Sequence, residues 1–389
     1  MTELFSKKMN AFQTSIFNEL AAYKRKKVEQ GYQMIDLSIG SPDLPPPSFV
    51  MDELANKSKD PSLYRYALTG IPELHQAIST YYSRQYHVSI SPEKETLMVM
   101  GSQDGLVHLP SVITNPGDII LVPNPGYTAY AAGISLAEAV PYSMPVYEHN
   151  QFLPDLESIP VPIREKAKMM ILNYPGNPVP AMATKTFFEK VVAFARKYNI
   201  IVLHDFAYSE LYYEEKPISF LSVEGAKEVG IEFNSLSKSF NMAGCRIGYV
   251  VGNEMVIEGL KRLKSNLDFG VFLPIQYAAV RALTDTSLFS EELRMIYKRR
   301  RDTLVDGLHT IGWEVARPSA SMFIWAKIPA PYRSTQFSYK LMDETGVVTI
   351  PGVAFGSEGE GYTRISLVQQ EDVLLSAIQK LNSSSIFPA

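Results

Sequence analysis

The sequence predicts an α/β fold: a mostly parallel central sheet with helices on both faces, plus a smaller α+β domain. Three observations carry this expectation. Short apolar runs rich in β-branched residues alternate with longer segments of helical period through the middle of the chain. Most of those runs end in clusters of polar, turn-forming residues. From about Pro274 the pattern changes to long helical segments and then to short strands. At 389 residues the chain is long for one core, and 46% hydrophobic residues can fill more than one. We therefore expect a large unit over 46–273 and a small unit made of 1–45 and 274–389.

Taken in order, the first 45 or so residues run into Ser41-Pro42-Asp43-Leu44-Pro45-Pro46-Pro47. Proline fixes φ and removes amide donors, so this stretch reads as an extended crossing segment. Strands are expected at 97–100, 119–122, 169–172, 200–204, 231–234 and 247–251. Four of them lead into Gly101-Ser102-Gln103-Asp104-Gly105, Pro123-Asn124-Pro125-Gly126, Asn173-Tyr174-Pro175-Gly176-Asn177-Pro178 and Asp205-Phe206-Ala207-Tyr208. Open α/β sheets bind ligands beyond the carboxyl ends of their strands, so these clusters are expected to face one crevice. The span 184–198 reads as an amphipathic helix capped by Thr184, with Phe187, Val191, Phe194 and Ala195 on its packed face. Further strands are expected at 323–327, 347–350 and 362–367, and a loosely ordered tail at 382–389.

Composition narrows the function. With 37 Lys+Arg against 41 Asp+Glu the net charge is −4, and the signs are interspersed, which lacks the footprint of a nucleic-acid binder. The run Arg299-Arg300-Arg301 reads as a solvated helix face beside Glu291, Glu292 and Asp302. The single Cys245 rules out an internal disulfide framework, and the histidines lack metal-ligand spacing, so no metal is expected. No apolar run is long enough for a membrane span and the start does not read as a secretory signal, so we expect a cytoplasmic protein that acts on small molecules.

Chemistry concentrates in Ser235-Leu236-Ser237-Lys238-Ser239 and, eight positions on, Arg246. A desolvated lysine among hydroxyls can trap a carbonyl as an imine, while Ser235, Ser237 and Arg246 supply donors for an anion such as phosphate. Read alone, such a string is more often a surface lysine in a polar loop. Asp205 ends the apolar run 200–204, and a carboxylate at that depth needs a cation, which a protonated pyridine nitrogen supplies. Tyr208 offers a phenol three residues on, although Asp-x-x-Tyr alone is also an ordinary helix cap with a packing tyrosine. His204 is expected to point to the opposite face of its strand, in a structural role.

Together these motifs resemble the fold type I pyridoxal-phosphate enzymes, specifically the class I/II aminotransferases, over nearly the whole chain. The ordered motifs are Gly-Ser-Gln-Asp-Gly at 101–105, Asn-Pro-Gly-Tyr at 124–127, Asn-Tyr-Pro-Gly-Asn-Pro at 173–178, His-Asp-Phe-Ala-Tyr at 204–208, Ser-Leu-Ser-Lys at 235–238 and Arg364. Within that family the chain looks like bacterial enzymes acting on methionine-type, aromatic or diaminopimelate-type substrates. The resemblance implies pyridoxal 5'-phosphate as cofactor, an L-amino acid and a 2-oxo acid such as 2-oxoglutarate as substrates, ping-pong kinetics and a homodimer. It implies that Lys238 binds the cofactor covalently and moves the proton, and that Asp205 pairs the ring nitrogen. Asn177 and Tyr208 would donate to the ring oxygen, with Tyr127 stacked on the ring. The phosphate would lie over the amides of Ser102 and Gln103, completed by Ser235, Ser237, Arg246 and, from the partner subunit, Tyr66 or Tyr64. Arg364 would take the substrate carboxylate, with Gly40 and Asn177 beside it. Val179-Pro180 replaces the family's usual Thr-Gly after Asn177-Pro178, which leaves the turn at Asn177 open. Phe12, Phe17 and Ile39 are expected near the substrate entrance, as is the turn Gly352-Val353-Ala354-Phe355-Gly356. A β-lyase or decarboxylase on the same fold, and a regulatory domain that binds the cofactor without catalysis, are the competing readings.

Overall fold

The computed structural model of the chain describes residues 4–12 and 16–387. Its strands are β1 (Ile35–Asp36), β2 (Thr96–Val99), β3 (Ile119–Asn124), β4 (Val140–Pro145), β5 (Ala167–Asn173), β6 (Ile201–Asp205), β7 (Gly230–Ser235), β8 (Gly248–Gly252), β9 (Phe323–Lys327), β10 (Val347–Val348), β11 (Ile350–Pro351) and β12 (Tyr362–Ser366). The central sheet has the order β2-β8-β7-β6-β5-β3-β4, and only β8 runs against its neighbours. A sheet covered on both faces needs apolar residues at every position rather than every second one. Accordingly Leu97 and Val99 pack on one side with the helices Ser102–Ile113 and Glu254–Lys264, while Met98 packs on the other with Pro72–Tyr86 and Lys185–Tyr198. The expected class, a mostly parallel sheet with helices on both faces, is what the chain forms.

The helix Lys185–Tyr198 starts as its sequence dictates. Thr184 Oγ1 accepts a hydrogen bond from the Phe187 amide at 3.1 Å, and Phe187, Val191, Phe194 and Ala195 are buried.

The smaller unit holds β9, β11 and β12 as an antiparallel sheet, while β10 leaves it to pair in parallel with β1. The expected strand at 347–350 is thus split, and β1 was not foreseen because two residues carry no periodicity. The helix Leu273–Thr284, expected to open the small unit, instead buries Ala278, Ala279, Ala282 and Leu283 in the core under the large sheet. We propose that the large unit extends through Thr284.

Two expectations need correction. Arg300 and Arg301 are buried, not part of a solvated face. Arg300 forms a two-pronged pair with Asp43 at 2.8 and 2.8 Å, and Arg301 reaches Glu214 at 2.9 Å and the Pro318 carbonyl at 2.8 Å. Only Arg299 is exposed, beside Glu371. The tail is also better anchored than its composition suggests. The helix Glu371–Asn382 ends in it, Ile386 and Phe387 are buried, and Phe387 stacks on Trp313 at 4.9 Å. Pro388 and Ala389, at its end, lie outside the described residues.

Candidate active site

Parallel register brings three chain segments level at the carboxyl edge of the sheet. Asn173 is paired with Asp205, Asp205 with Phe233, and Ser235 follows two residues later on β7. Beside them β2 turns through Gly101, at φ +79°, into the helix Ser102–Ile113. A Cβ at Gly101 would sit 2.6 Å from the Arg246 guanidinium, so a glycine is required for that cation to lie over the helix start. The first-turn amides of Ser102 and Gln103 and the Arg246 charge then share one end of the crevice, an arrangement that favours an anion. Asp104, in the same turn, does not oppose it. Lys264 at 2.9 Å, His108 at 2.8 Å and the Met100 amide hold its charge, which keeps the carboxyl well below its usual range although burial alone would raise it.

Lys238 lies at the centre. Burial, and then the charges of Arg364 and Arg246, lower its amine to about 8, with Asp205 opposing them, and Nζ donates to the Gly40 carbonyl. Asp205 is buried and its carboxyl is raised chiefly by desolvation. Its oxygens accept from Tyr130 Oη at 2.8 Å and from the Ala207 amide at 3.2 Å. No cationic side chain is bonded to it among the described residues. Asn173 shapes the adjoining loop by donating to the Asp205 carbonyl at 2.8 Å and accepting from the Asn177 amide at 2.8 Å. That settles the turn before Val179-Pro180: Asn177 faces the cavity and its Oδ1 accepts from Arg364 at 2.8 Å.

Arg364, on β12, is 4% exposed and sits between the rings of Phe323 and Phe355 at 4.3 and 4.8 Å. One further N–H donates to the Ser38 carbonyl at 2.7 Å, while Nε is buried without a partner. A buried guanidinium with no carboxylate beside it is costly, and desolvation lowers it to about 10. It is poised for an incoming anion. Burial likewise raises the phenols of Tyr208 and Tyr127, so both remain donors at neutral pH.

These groups surround one cavity of about 530 Å³, a size suited to a cofactor with a small substrate. Of the residues named from the sequence, Gly40, Ser102, Tyr127, Asn177, Asp205, Tyr208, Ser235, Lys238 and Arg364 line it. Gln103, Ser237 and Arg246 do not: Gln103 accepts from Tyr127 Oη at 3.1 Å, the Ser237 amide donates to Ser235 Oγ at 3.3 Å, and Arg246 stands behind Gly101. Tyr66 is 78% exposed, away from its own chain's cavity, with its ring 4.6 Å from Phe269. Phe17 and Ile39 line the cavity, but Phe12 does not. The turn 352–356, expected near the entrance, supplies Phe355 to the wall, whereas sequence reasoning gave no site role to Tyr130 or Asn173. Tyr130 carried one signal, its place three residues after Tyr127 on a helix. The residues present fit pyridoxal phosphate: a desolvated amine for its aldehyde, an unpaired buried carboxylate for its ring nitrogen, and an amide cup with a cation for its phosphate.

The comparisons agree with this geometry. The family model described as aminotransferase class I and II matches residues 32–381. An LL-diaminopimelate aminotransferase of Halothermothrix orenii is 43% identical over 95% of this chain and 96% of its own, and one of Dehalococcoides mccartyi is 44% identical over 97% of each. Among solved structures, substrate-bound BacF from Bacillus subtilis superposes with a TM-score of 0.95 at 40% identity, covering 98% of this chain and 97% of that one.

Proposed function

Because the chain belongs to the aminotransferase class I and II family, whose enzymes depend on pyridoxal phosphate, we propose that it moves an amino group from an L-amino acid to a 2-oxo acid such as 2-oxoglutarate by a ping-pong cycle. The observation that carries this reading is the convergence of Lys238, Asp205 and the unpaired Arg364 on one cavity. Bound pyridoxal phosphate supplies the carbonyl that captures the amine and the ring that withdraws electrons. Lys238 would be the residue that holds it covalently and, once freed, the base that would move the proton of the donor Cα. Asp205, held by Tyr130 and the Ala207 amide, would pair with the ring nitrogen and favour its protonated form. Arg364 binds the α-carboxylate and so orients the Cα–H toward Lys238, a fork that lysine would not reproduce. Asn177 and Tyr208 would hold the ring oxygen, Tyr127 would cover the ring, and Ser102 and Ser235 at the cavity wall, with Gln103, Ser237 and Arg246 behind them, would hold the phosphate.

We further propose a homodimer in which Tyr66 reaches the partner's phosphate. Tyr64 is the weaker choice because its hydroxyl is spent on the Ser58 carbonyl at 2.8 Å. A second reading of the donor, LL-diaminopimelate, is favoured by the names of the relatives and requires a group that meets the donor's second charged end.

The test is a half-reaction. With an amino acid alone, the cofactor's visible absorbance is expected to fall as one equivalent of 2-oxo acid per site is released, and 2-oxoglutarate is expected to restore it. Continuous oxo-acid release without an acceptor would instead identify a lyase, and carbon dioxide release a decarboxylase.

A further inference from the structure

A donor held at Arg364 has its side chain beside Phe355, because that ring packs on the same guanidinium at 4.8 Å. Phe17 meets Phe355 edge-on, with ring centroids 5.5 Å apart and planes at 83°, and Ile39 completes this side of the cavity. The two rings belong to a buried apolar cluster with Leu20, Trp325, Met342, Val348 and Ile350, which backs the wall. Among the described residues the only Asp, Glu, Lys or Arg side chains lining the cavity are Asp205, Lys238 and Arg364. Each already has a task in the aminotransferase reading. The two carboxylates flanking Ser38–Gly40 are outside the lining and already paired, Asp36 with Lys24 at 2.5 Å and the Ser38 amide at 2.9 Å, and Asp43 with Arg300 at 2.8 Å.

The wall is also fixed in place. The Phe355 carbonyl accepts from the Gly126 amide at 2.9 Å, and the Glu358 amide donates to Asn124 Oδ1 at 3.2 Å. Gly356, at φ +132°, lets the loop lie against Asn124, where a Cβ would come within 2.2 Å of Oδ1. The backbone of the loop that carries Phe355 is thereby tied to the large unit, and the ring itself is packed against Phe17 and Trp325.

We infer that the donor side-chain compartment, walled by Phe17, Ile39 and Phe355, accepts an uncharged apolar or aromatic side chain and refuses one that ends in an ammonium. The inference rests on the aminotransferase reading and names its donor class. An ammonium entering this compartment sheds its hydration and meets no carboxylate of the described residues other than Asp205, whereas a methyl group of the same reach sheds only unfavourable contact with water.

L-norleucine and L-lysine make the sharpest comparison, since they share a backbone and a four-carbon side chain and differ in whether it ends in hydrogen or in an ammonium. The experiment measures the rate of cofactor bleaching against donor concentration for the holoenzyme, which includes any group a second copy brings. The donors are L-norleucine, L-phenylalanine, L-lysine and LL-2,6-diaminopimelate. Norleucine and phenylalanine are expected to exceed both diamines in the second-order rate constant by on the order of 100-fold. A ratio below tenfold for lysine or diaminopimelate overturns the inference and leaves the aminotransferase reading standing. If no donor bleaches the cofactor, both fall. The variant Phe17→Glu, with cofactor absorbance retained, is expected to raise the lysine rate at least tenfold and lower that of norleucine. An unchanged ratio would remove Phe17 from the compartment.

Discussion

Lys238 is useful only while it can be neutral, and its surroundings arrange that. Burial and the charges of Arg364 and Arg246 bring its amine down to about 8, against an ordinary value near 10.4. The sign is clear: lowering the value favours the free amine, so the nucleophilic fraction grows as pH rises through about 8 and is nearly complete one to two units above. Cofactor capture by the apoprotein should follow that fraction. Mixing apoprotein with pyridoxal phosphate and recording the growth of visible absorbance is expected to give a rate that climbs to a plateau above pH 9. A climb continuing past pH 10 would show an unperturbed lysine and an amine not enclosed as described. At this scale much of the site was readable in the sequence, because Lys238, Asp205, Asn177 and Arg364 lie in ordered motifs. Tyr130 was not, because its bond to Asp205 spans 75 positions and a tyrosine on an apolar helix looks the same whether or not its hydroxyl has a partner.

At the scale of elements, the stretch 37–45, which runs into the proline-rich crossing segment 41–47, positions the site although it has no regular structure. Its carbonyls accept from Arg364 at Ser38, from Lys238 at Gly40 and from Asn241 at Pro45, and its Asp43 is held by Arg300. The prolines made its extended form foreseeable, since they forbid both helix and central strand. The anchor was not foreseeable, because Asp43 and Arg300 lie 257 positions apart and three consecutive arginines read as solvent-facing until two are seen to be buried. Six of the seven strands of the large sheet, by contrast, were legible within a residue or two, since burial on both faces writes itself as an unbroken apolar run; the edge strand β4, largely exposed and carrying two prolines, was not foreseen. The variant Arg300→Met tests the anchor. It leaves Asp43 without its partner, and because Asp43 is partly exposed the expected loss is about 2 kcal/mol, less than for a fully buried pair. Urea denaturation should read this as a lower midpoint, and KM should rise more than kcat falls because Ser38 and Gly40 border the Arg364 site. An unchanged midpoint and KM would mean that the segment is held by its other bonds alone.

At the scale of the whole molecule, the proposed homodimer has a candidate contact surface. Tyr64, Tyr66, Phe269 and Phe272 form an exposed aromatic ridge, with Tyr66 near Phe269 at 4.6 Å and Tyr64 near Phe272 at 5.0 Å. The Ala67 amide bonds the Phe269 carbonyl at 3.1 Å, so the two loops move as one. Aromatic surface of this kind is enriched in interface cores, and a two-fold pairing would place each ridge against the other chain's crevice. If Tyr66 serves the partner, Tyr66→Phe removes a hydrogen bond to a charged phosphate, worth about 1.5–3 kcal/mol, and should weaken cofactor binding tenfold or more. A hybrid of one Lys238→Ala chain with one Tyr66→Phe chain then separates sharing from service within a chain. Its only lysine-bearing site belongs to the Tyr66→Phe chain and receives its tyrosine from the Lys238→Ala chain, which has an intact Tyr66. Shared sites are therefore expected to restore native cofactor affinity and turnover at one site per dimer. If Tyr66 acted within its own chain, that same site would lack the hydroxyl and titrate as weakly as the Tyr66→Phe homodimer. A titration of differently tagged, purified hybrids with pyridoxal phosphate reads the two cases directly.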